Sequence, residues 1–160
     1  MLTPNDLLKF MGKNTITGEI LFLDAPTPTV EAAAMALNTQ PNRIAKSVLF
    51  TLPEGTVLAI TCGTSLIEQR ALASAFGVGR KKVKLADPKT VLQMTGYPVG
   101  TVPPFGHPQP LRTVIDPRVL EHALIYAGGG EHNAMLRLDN SQDIVRVSDA
   151  TILNLHDLPG

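Results

Sequence analysis

Lys46 is the residue of this sequence with the clearest capacity for chemistry. It lies in the apolar run Ala45–Leu52, where strand alternation puts it on the same face as Val48, Phe50 and Leu52. An ammonium held at the rim of a pocket could bind a phosphate or a carbonyl oxygen. The alternative is that Lys46 begins the strand and extends its charge into solvent. The pattern alone leaves both interpretations open.

A proline- and glycine-rich segment, residues 97–111, is the second candidate. It contains five prolines and two glycines in fifteen residues, which excludes a helix or a central strand and predicts a long loop. Prolines restrict φ and glycines such as Gly100 allow close backbone approach, so N–H groups of this loop could face a ligand. A rigid surface loop without a ligand is the alternative.

Three consecutive glycines, residues 128–130, directly follow a predicted strand and precede Glu131, His132 and Asn133. The segment lacks the GxGxxG spacing of dinucleotide sites and the Lys-Ser/Thr of a phosphate-binding loop. It therefore predicts either a loop that lines a ligand site or a mobile hairpin turn.

A dense basic cluster of four residues is the only other concentration of charge. It consists of Arg80, Lys81, Lys82 and Lys84, which are four of the 14 cationic residues. Such a run is commonly a solvated loop, although beside a pocket it could bind a polyanion.

The histidines and the cysteine predict neither a metal site nor a nucleophile. The four histidines are scattered and have no His or Cys partner at ligand spacing. Cys62 ends an apolar strand and is interpreted as a small core residue. We expect no metal and no cofactor.

Composition limits the classes of protein that remain. The chain has 160 residues, 44% hydrophobic and 18% charged, with a formal net charge of +0, which predicts a single folded domain and not a disordered chain. Its apolar runs are too short to span a membrane. Neutrality argues against nonspecific coating of nucleic acid. The N-terminus lacks a signal-peptide pattern, so we expect a cytoplasmic protein.

Hydrophobic periodicity and turn signals predict helices and hairpins without regular βα alternation. Helices are expected after Thr3, over 30–37, from a Ser65–Glu68 capping box to Gly77, from Asp87 to Gly96, and as short turns at 117–120 and 142–147. Strands are expected at 16–23, in a hairpin of Ala45–Leu52 with 56–62, and at Thr113–Ile115, 123–127 and Ala134–Leu138. This pattern favours an α+β domain with a curled, mixed, mainly antiparallel sheet and surrounding helices.

Three segments together resemble a known family. They are residues 43–50 around Lys46, residues 92–108 with the core TGYPVGTVPPFGH, and residues 127–138 with the three glycines and Asn133-Ala134. They resemble the YbaK family, also called the prolyl-tRNA-synthetase-associated editing domain, and residues 26–33 are similar to the start of its first core helix. The resemblance runs from about residue 25 to residue 149, and residues 1–14 lie outside it as a variable N-terminal helix.

The resemblance implies a YbaK-like fold and hydrolysis of an amino acid wrongly esterified to tRNA, without metal. It implies mischarged tRNA as partner and an aminoacyl-tRNA synthetase as a further one. In that family the lysine matching Lys46 positions the terminal adenosine or its phosphate, and Gly100-Thr101 supplies backbone amides near the ester carbonyl. The substrate-binding residues implied are Thr27, Pro28, Phe105, Gly128, Gly129, His132 and Asn133. The basic cluster is then a candidate for tRNA docking.

Two other functions stay open from the sequence. One is a non-catalytic relative that binds tRNA, a synthetase or a small ligand as a regulator. The other is a binding module unrelated to tRNA. The edited amino acid is not assigned, because members of the family differ in the walls of the pocket.

Overall fold

Eight strands divide between two sheets in the computed structural model, which describes residues 1–156. One sheet has the order β1-β7-β6 and the other the order β4-β2-β3-β5-β8. The strands are β1 (Gly18–Phe22), β2 (Ala45–Leu52), β3 (Gly55–Cys62), β4 (Lys84–Leu85), β5 (Thr113–Ile115), β6 (Ile125–Gly128), β7 (Ala134–Leu138) and β8 (Thr151–Ile152). The pairs β3–β5 and β5–β8 are parallel and the other strand pairs are antiparallel. The expected α+β class with mixed, mainly antiparallel pairing is confirmed.

Five α-helices surround the sheets within residues 1–156. They are α1 (Pro4–Lys13), α2 (Val30–Ala36), α3 (Gln69–Phe76), α4 (Pro88–Thr95) and α5 (Gln142–Ser148), with 3-10 turns at Pro41–Arg43, Arg80–Lys82 and Pro117–Glu121. Side chains of Thr3, Thr29 and Asp87 accept hydrogen bonds from N–H groups in the first turns of α1, α2 and α4, because those groups have no partner inside the helix. None of the helices in residues 1–156 has the length and apolar character that a membrane crossing requires.

The start of α3 differs from the expected capping box. The helix begins at Gln69, Glu68 takes the N-cap position, and no side chain caps the helix. The Glu68 N–H donates instead to the Leu155 carbonyl at 2.7 Å, and His156 Nδ1 lies 2.9 Å from the Leu66 carbonyl oxygen. The C-terminal segment therefore holds residues 66–68 extended, and these distant contacts override the local signal. Gly77 ends the helix as predicted, with φ of 65°.

The short strands β4 and β8 were not predicted. Each has two residues, too few to show alternation. The hairpin of β2 and β3 was predicted, and its register runs from Ala45 opposite Cys62 to Leu52 opposite Gly55.

Strand β2 separates two apolar clusters because its side chains alternate. Ala45 and Leu49 belong to the larger cluster, which also includes residues of α1, β6 and β7. Phe50 belongs to a second cluster with Leu72 of α3. Consequently β2 has a buried layer on each face, and only the edge of the strand is free to form a site.

Asp116 anchors the C-terminal segment at the end of β5. Its carboxylate is fully buried and accepts hydrogen bonds from Arg118 and from the Leu155 N–H at 2.9 Å. Burial opposes ionisation, but the hydrogen bonds from Arg118 and Leu155 outweigh it and hold the pKa of Asp116 below its usual value.

We expect Asp116→Ala to destabilise the fold by about 1–3 kcal/mol, because the buried Leu155 N–H would lose its acceptor. The exposed Asp24→Ala is the control. Since the pKa of Asp116 is lowered on folding, the difference from wild type should be full at neutral pH and shrink as the pH falls below about 4. Thermal unfolding at pH 7 and pH 3 checks this, and an equal difference at both values would contradict it.

Candidate active site

A cavity of about 490 Å³ opens beside the N-terminal half of β2. Its walls come from β2, from the segment that leads into α2, from β4 and α4, and from the loop after α4. The predicted site residues among its lining are Thr27, Pro28, Lys46, Gly100 and Gly128. Three separate parts of the sequence that carry the family resemblance therefore meet at one cavity.

The cavity lies where β2 loses its strand partners on one edge. On that edge β4 pairs only with Phe50 and Thr51, and an isolated bridge joins Ile44 to Tyr126 of β6. Between these two points, residues 45–49 pair with no strand on this edge of β2. The two sheets diverge at this edge of β2, and the gap between them is the pocket.

Lys46 lies inside this unpaired stretch and is half-buried. Its backbone pairs with Thr61 of β3, which fixes its position in the wall. Within residues 1–156 its ammonium forms no ion pair and no hydrogen bond. A cation that lines a pocket and forms no ion pair with the protein is available to an anionic ligand.

Gly100 also lines the cavity. Its φ is +85°, a region that favours glycine, and an added Cβ would meet no atom within 4 Å. The requirement for glycine is therefore conformational and not steric. The Gly100 N–H has no hydrogen-bond partner in the described part of the chain, so it can donate to a ligand.

Thr101 has a different position from its neighbour. It is 1% exposed, and both its N–H and its hydroxyl donate to the Pro98 carbonyl, at 3.1 and 2.8 Å. Both donors are engaged inside the loop. Thr101 is thus placed to shape the turn at Gly100, and it does not line the cavity.

The three glycines after β6 make close backbone contacts with the proline- and glycine-rich loop. A Cβ on Gly128 would lie 2.4 Å from the Val102 carbonyl oxygen, and the Gly130 N–H donates to the Thr101 carbonyl at 3.0 Å. Gly129 is equally crowded, since its Cβ would lie 2.8 Å from the Ala134 backbone. The glycines therefore permit the loop to lie against β6.

His132 and Asn133 hold the segment that leads into α2. The His132 carbonyl accepts from the Thr27 N–H at 3.2 Å, while Asn133 exchanges hydrogen bonds with the backbone of Leu23. Neither residue lines the cavity, and the His132 side chain is exposed. Their contact with the cavity is indirect, through Thr27.

Phe105 also lies away from the cavity. It is 2% exposed and stacks on Phe10 of α1 with ring centroids 5.7 Å apart. His107 follows it, and its Nε2 lies 2.9 Å from the Pro103 carbonyl. Burial lowers the pKa of His107, so the imidazole is neutral at physiological pH. Both residues stiffen the loop from within.

Burial also limits the chemistry of Cys62. Desolvation raises the pKa of its thiol to about 11, so little thiolate exists at neutral pH. Residues 1–156 contain no group of three His, Cys, Asp or Glu side chains placed to hold a metal.

Sequence reasoning missed Glu31, which lines the cavity from the first turn of α2. In the sequence, a glutamate at this position indicates only a charge that favours the helix N-terminus. Leu85, Val91 and Val99 also line the cavity and add apolar surface. No sequence signal brings these residues together, because they come from separate elements.

The basic cluster borders a separate surface depression. Arg80, Lys81 and Lys82 line it together with Arg70 and Glu68. Lys84 lies on β4, next to Leu85 of the cavity wall. All four residues of the cluster are exposed, and none forms an ion pair within residues 1–156.

Comparison with known proteins identifies the family to which the sequence is similar. The family profile of the aminoacyl-tRNA editing domain matches residues 24–145. The chain is 27% identical over 122 residues to the uncharacterized protein YwhH of Bacillus subtilis, covering 75% of each chain. It is 30% identical over 119 residues to the proline–tRNA ligase of Desulfotalea psychrophila, covering 74% of this chain and 20% of the ligase.

A solved structure shares the whole fold. It is described as a candidate trans-editing enzyme for prolyl tRNA synthetase, and it superposes with a TM-score of 0.88 at 24% identity, covering 99% of this chain and 100% of the other. The chain spans about a fifth of the length of the Desulfotalea ligase. Because the family profile covers most of the sequence, including every segment that lines the cavity, this chain belongs to the YbaK-type aminoacyl-tRNA editing domain family.

Proposed function

We propose that this protein is a deacylase that hydrolyses the ester bond of mischarged aminoacyl-tRNA. The observation that supports it most directly is the cavity, where the unpaired Lys46 ammonium and the free Gly100 N–H line one space in a chain of the editing family. The proposed substrate implies a cytoplasmic protein.

Lys46 and Gly100 have separate roles in this proposal. The Lys46 ammonium binds the phosphate of the terminal adenosine, and the Gly100 N–H donates to the ester carbonyl oxygen as it becomes negative. Water adds to the carbonyl carbon and the bond to the ribose oxygen breaks. That oxygen takes a proton and leaves as the ribose hydroxyl, while the amino acid leaves as a carboxylate. The proposed reaction is metal-independent.

An aminoacyl ester is already activated, so its hydrolysis requires only that the protein orient the ester and supply one or two hydrogen-bond donors. Synthetases discriminate poorly between small apolar side chains, which creates a need for separate hydrolysis. The cavity suits such a substrate, because alanine, valine and leucine side chains make up much of its lining.

The basic cluster is the proposed docking surface for the tRNA backbone. The protein is neutral overall, so attraction to a polyanion must come from uneven charge. Strand β4 connects the cluster to the cavity, since Lys84 and Leu85 are adjacent. The match to a proline–tRNA ligase supports a synthetase as a further partner.

One observation favours the non-catalytic alternative. The cavity lining in the described residues contains no histidine and no cysteine, so Glu31 and Lys46 are its only titratable side chains that could serve as a general base. Incubation with a panel of mischarged tRNAs separates the two functions. Loss of ester above the buffer rate for at least one tRNA supports the deacylase, and loss at the buffer rate for all of them supports a binding role.

We expect Lys46→Ala to lower deacylation by roughly 100-fold, the scale of losing one charged group at the reacting end of a substrate. The thermal midpoint should change little, because the ammonium has no partner in the fold. Lys89→Ala on α4, outside the cavity lining, is the matched control. Near-normal activity of Lys46→Ala would remove this residue from the mechanism.

Gly100→Ala should lose most activity, because alanine is strained at a φ of +85° and the turn would reorient its N–H. Gly55→Ala is the control for strain alone, since Gly55 has φ of +103° in the turn of the β2–β3 hairpin. We expect similar losses of thermal stability in both variants and loss of deacylation only in Gly100→Ala. Full activity of Gly100→Ala would mean that the loop has only a structural role.

Replacing Lys81 and Lys82 by Glu should raise the KM for mischarged tRNA and flatten its salt dependence, with little change in kcat. The control replaces Lys9 and Lys13 of α1 by Glu, which changes the net charge equally on a different element. A short substrate with only the aminoacylated 3′ end should be hydrolysed equally by both variants. Equal loss on the short substrate and on full tRNA would contradict docking at this cluster.

A further inference from the structure

Two opposite charges line the cavity without forming an ion pair in the described chain, one on the exposed Glu31 and one on the half-buried Lys46. Glu31 and Lys46 are the charged side chains of its lining in the described chain. Neither forms an ion pair or a side-chain hydrogen bond within residues 1–156, so they do not pair with each other. A ligand that fits both must have a negative group near one and a positive group near the other.

The two residues belong to independently fixed walls. Glu31 lies in the first turn of α2, which the Thr29 side chain caps. The segment before this helix is fixed by the hydrogen bond from the Thr27 N–H to the His132 carbonyl. Lys46 is held in β2 by its pairing with β3. Their separation is thus set by the fold and does not depend on contact between them.

A carboxylate in the first turn also favours the helix dipole, typically by 0.3–1 kcal/mol. That role requires only a position near the helix N-terminus. It does not require that the carboxylate face a cavity whose other charged side chain is a lysine.

We propose that Glu31 binds the α-ammonium group of the aminoacyl ester and so selects esters whose amino group is free. This inference rests on the proposed function. An aminoacylated terminal adenosine has an ammonium next to the ester and a phosphate on the nucleotide, which matches the two charges of the cavity. A carboxylate that accepts from an ammonium forms a charge-assisted hydrogen bond, stronger than a neutral one.

Two consequences follow for specificity. Esters whose amino group is acylated, including peptidyl esters, lose the positive charge and should be poor substrates. The amino group is common to all amino acids, so Glu31 would fix the orientation of the ester and leave choice of side chain to the apolar lining.

Hydrolysis of the alanyl and lactyl esters of the same tRNA tests the inference. The two esters differ only in that the alanyl ester has an amino group where the lactyl ester has a hydroxyl of similar size. Each rate is divided by the buffer rate of that ester. We expect wild type to prefer the alanyl ester by roughly 10- to 100-fold, the scale of a hydrogen bond to a charged group. Glu31→Gln should lose that preference by slowing the alanyl ester only. Glu54→Gln, in the turn between β2 and β3, is the matched control.

Binding provides a readout that needs no turnover. Calorimetry compares two adenosine 5′-monophosphate derivatives, one with alanine in a stable 3′-amide link and the other with lactic acid in the same link. Selective binding of the alanyl compound by wild type, but not by Glu31→Gln, supports the inference even if no ester is hydrolysed. Absence of hydrolysis together with this selective binding would overturn only the proposed function. Equal binding of both compounds, or an unchanged preference in Glu31→Gln at an unchanged thermal midpoint, overturns the role of Glu31. Absence of both binding and turnover overturns both proposals.

Discussion

The contact between the glycines after β6 and the backbone at residues 101–102 is the constraint on which the site depends. Gly128 lies so close to the Val102 carbonyl that any side chain would overlap it, and Gly130 donates to the Thr101 carbonyl. This contact joins the proline- and glycine-rich loop to the three-stranded sheet. It sets where the turn at Gly100 lies relative to β2, and therefore the width of the cavity.

The cavity itself results from incomplete strand pairing. A strand edge normally either pairs with another strand or is exposed to solvent. One edge of β2 pairs with β4 at one end and reaches β6 only through the Ile44 bridge at the other. The stretch between remains open, with a buried layer on each face of the strand. A site formed this way has rigid walls, because each wall belongs to an element fixed by the core. Rigid walls are what a mechanism based on orientation requires.

The positions of the charged residues in this protein are more informative than its net charge. The net charge is zero, yet within residues 1–156 neither Lys46, which lines the cavity, nor the exposed basic cluster around Lys81 forms an ion pair. The buried carboxylate of Asp116, in contrast, is fully satisfied by hydrogen bonds. Asp116 is thus paired within the fold, whereas a ligand is proposed for Lys46 and for the basic cluster.

Much of this architecture was determined by the sequence alone. Local signals were sufficient for α1, α2 and α4, since their caps act within three residues. They were also sufficient for the β2–β3 hairpin, whose two apolar runs are separated by the turn residues Pro53-Glu54-Gly55. The motif around Lys46 and the two glycine-rich segments were also sufficient to identify the family.

Only the tertiary structure decided how those segments meet. The start of α3 follows from contacts with Leu155 and His156, far away in the chain, so the local capping signal at Ser65 did not form. Phe105 and Gly100 belong to one motif, yet the first packs on α1 and the second lines the cavity. Glu31 faces the cavity because of how α2 packs. The sequence determines which residues can do chemistry, but which of them share a cavity depends on long-range packing, and no local pattern encodes that packing.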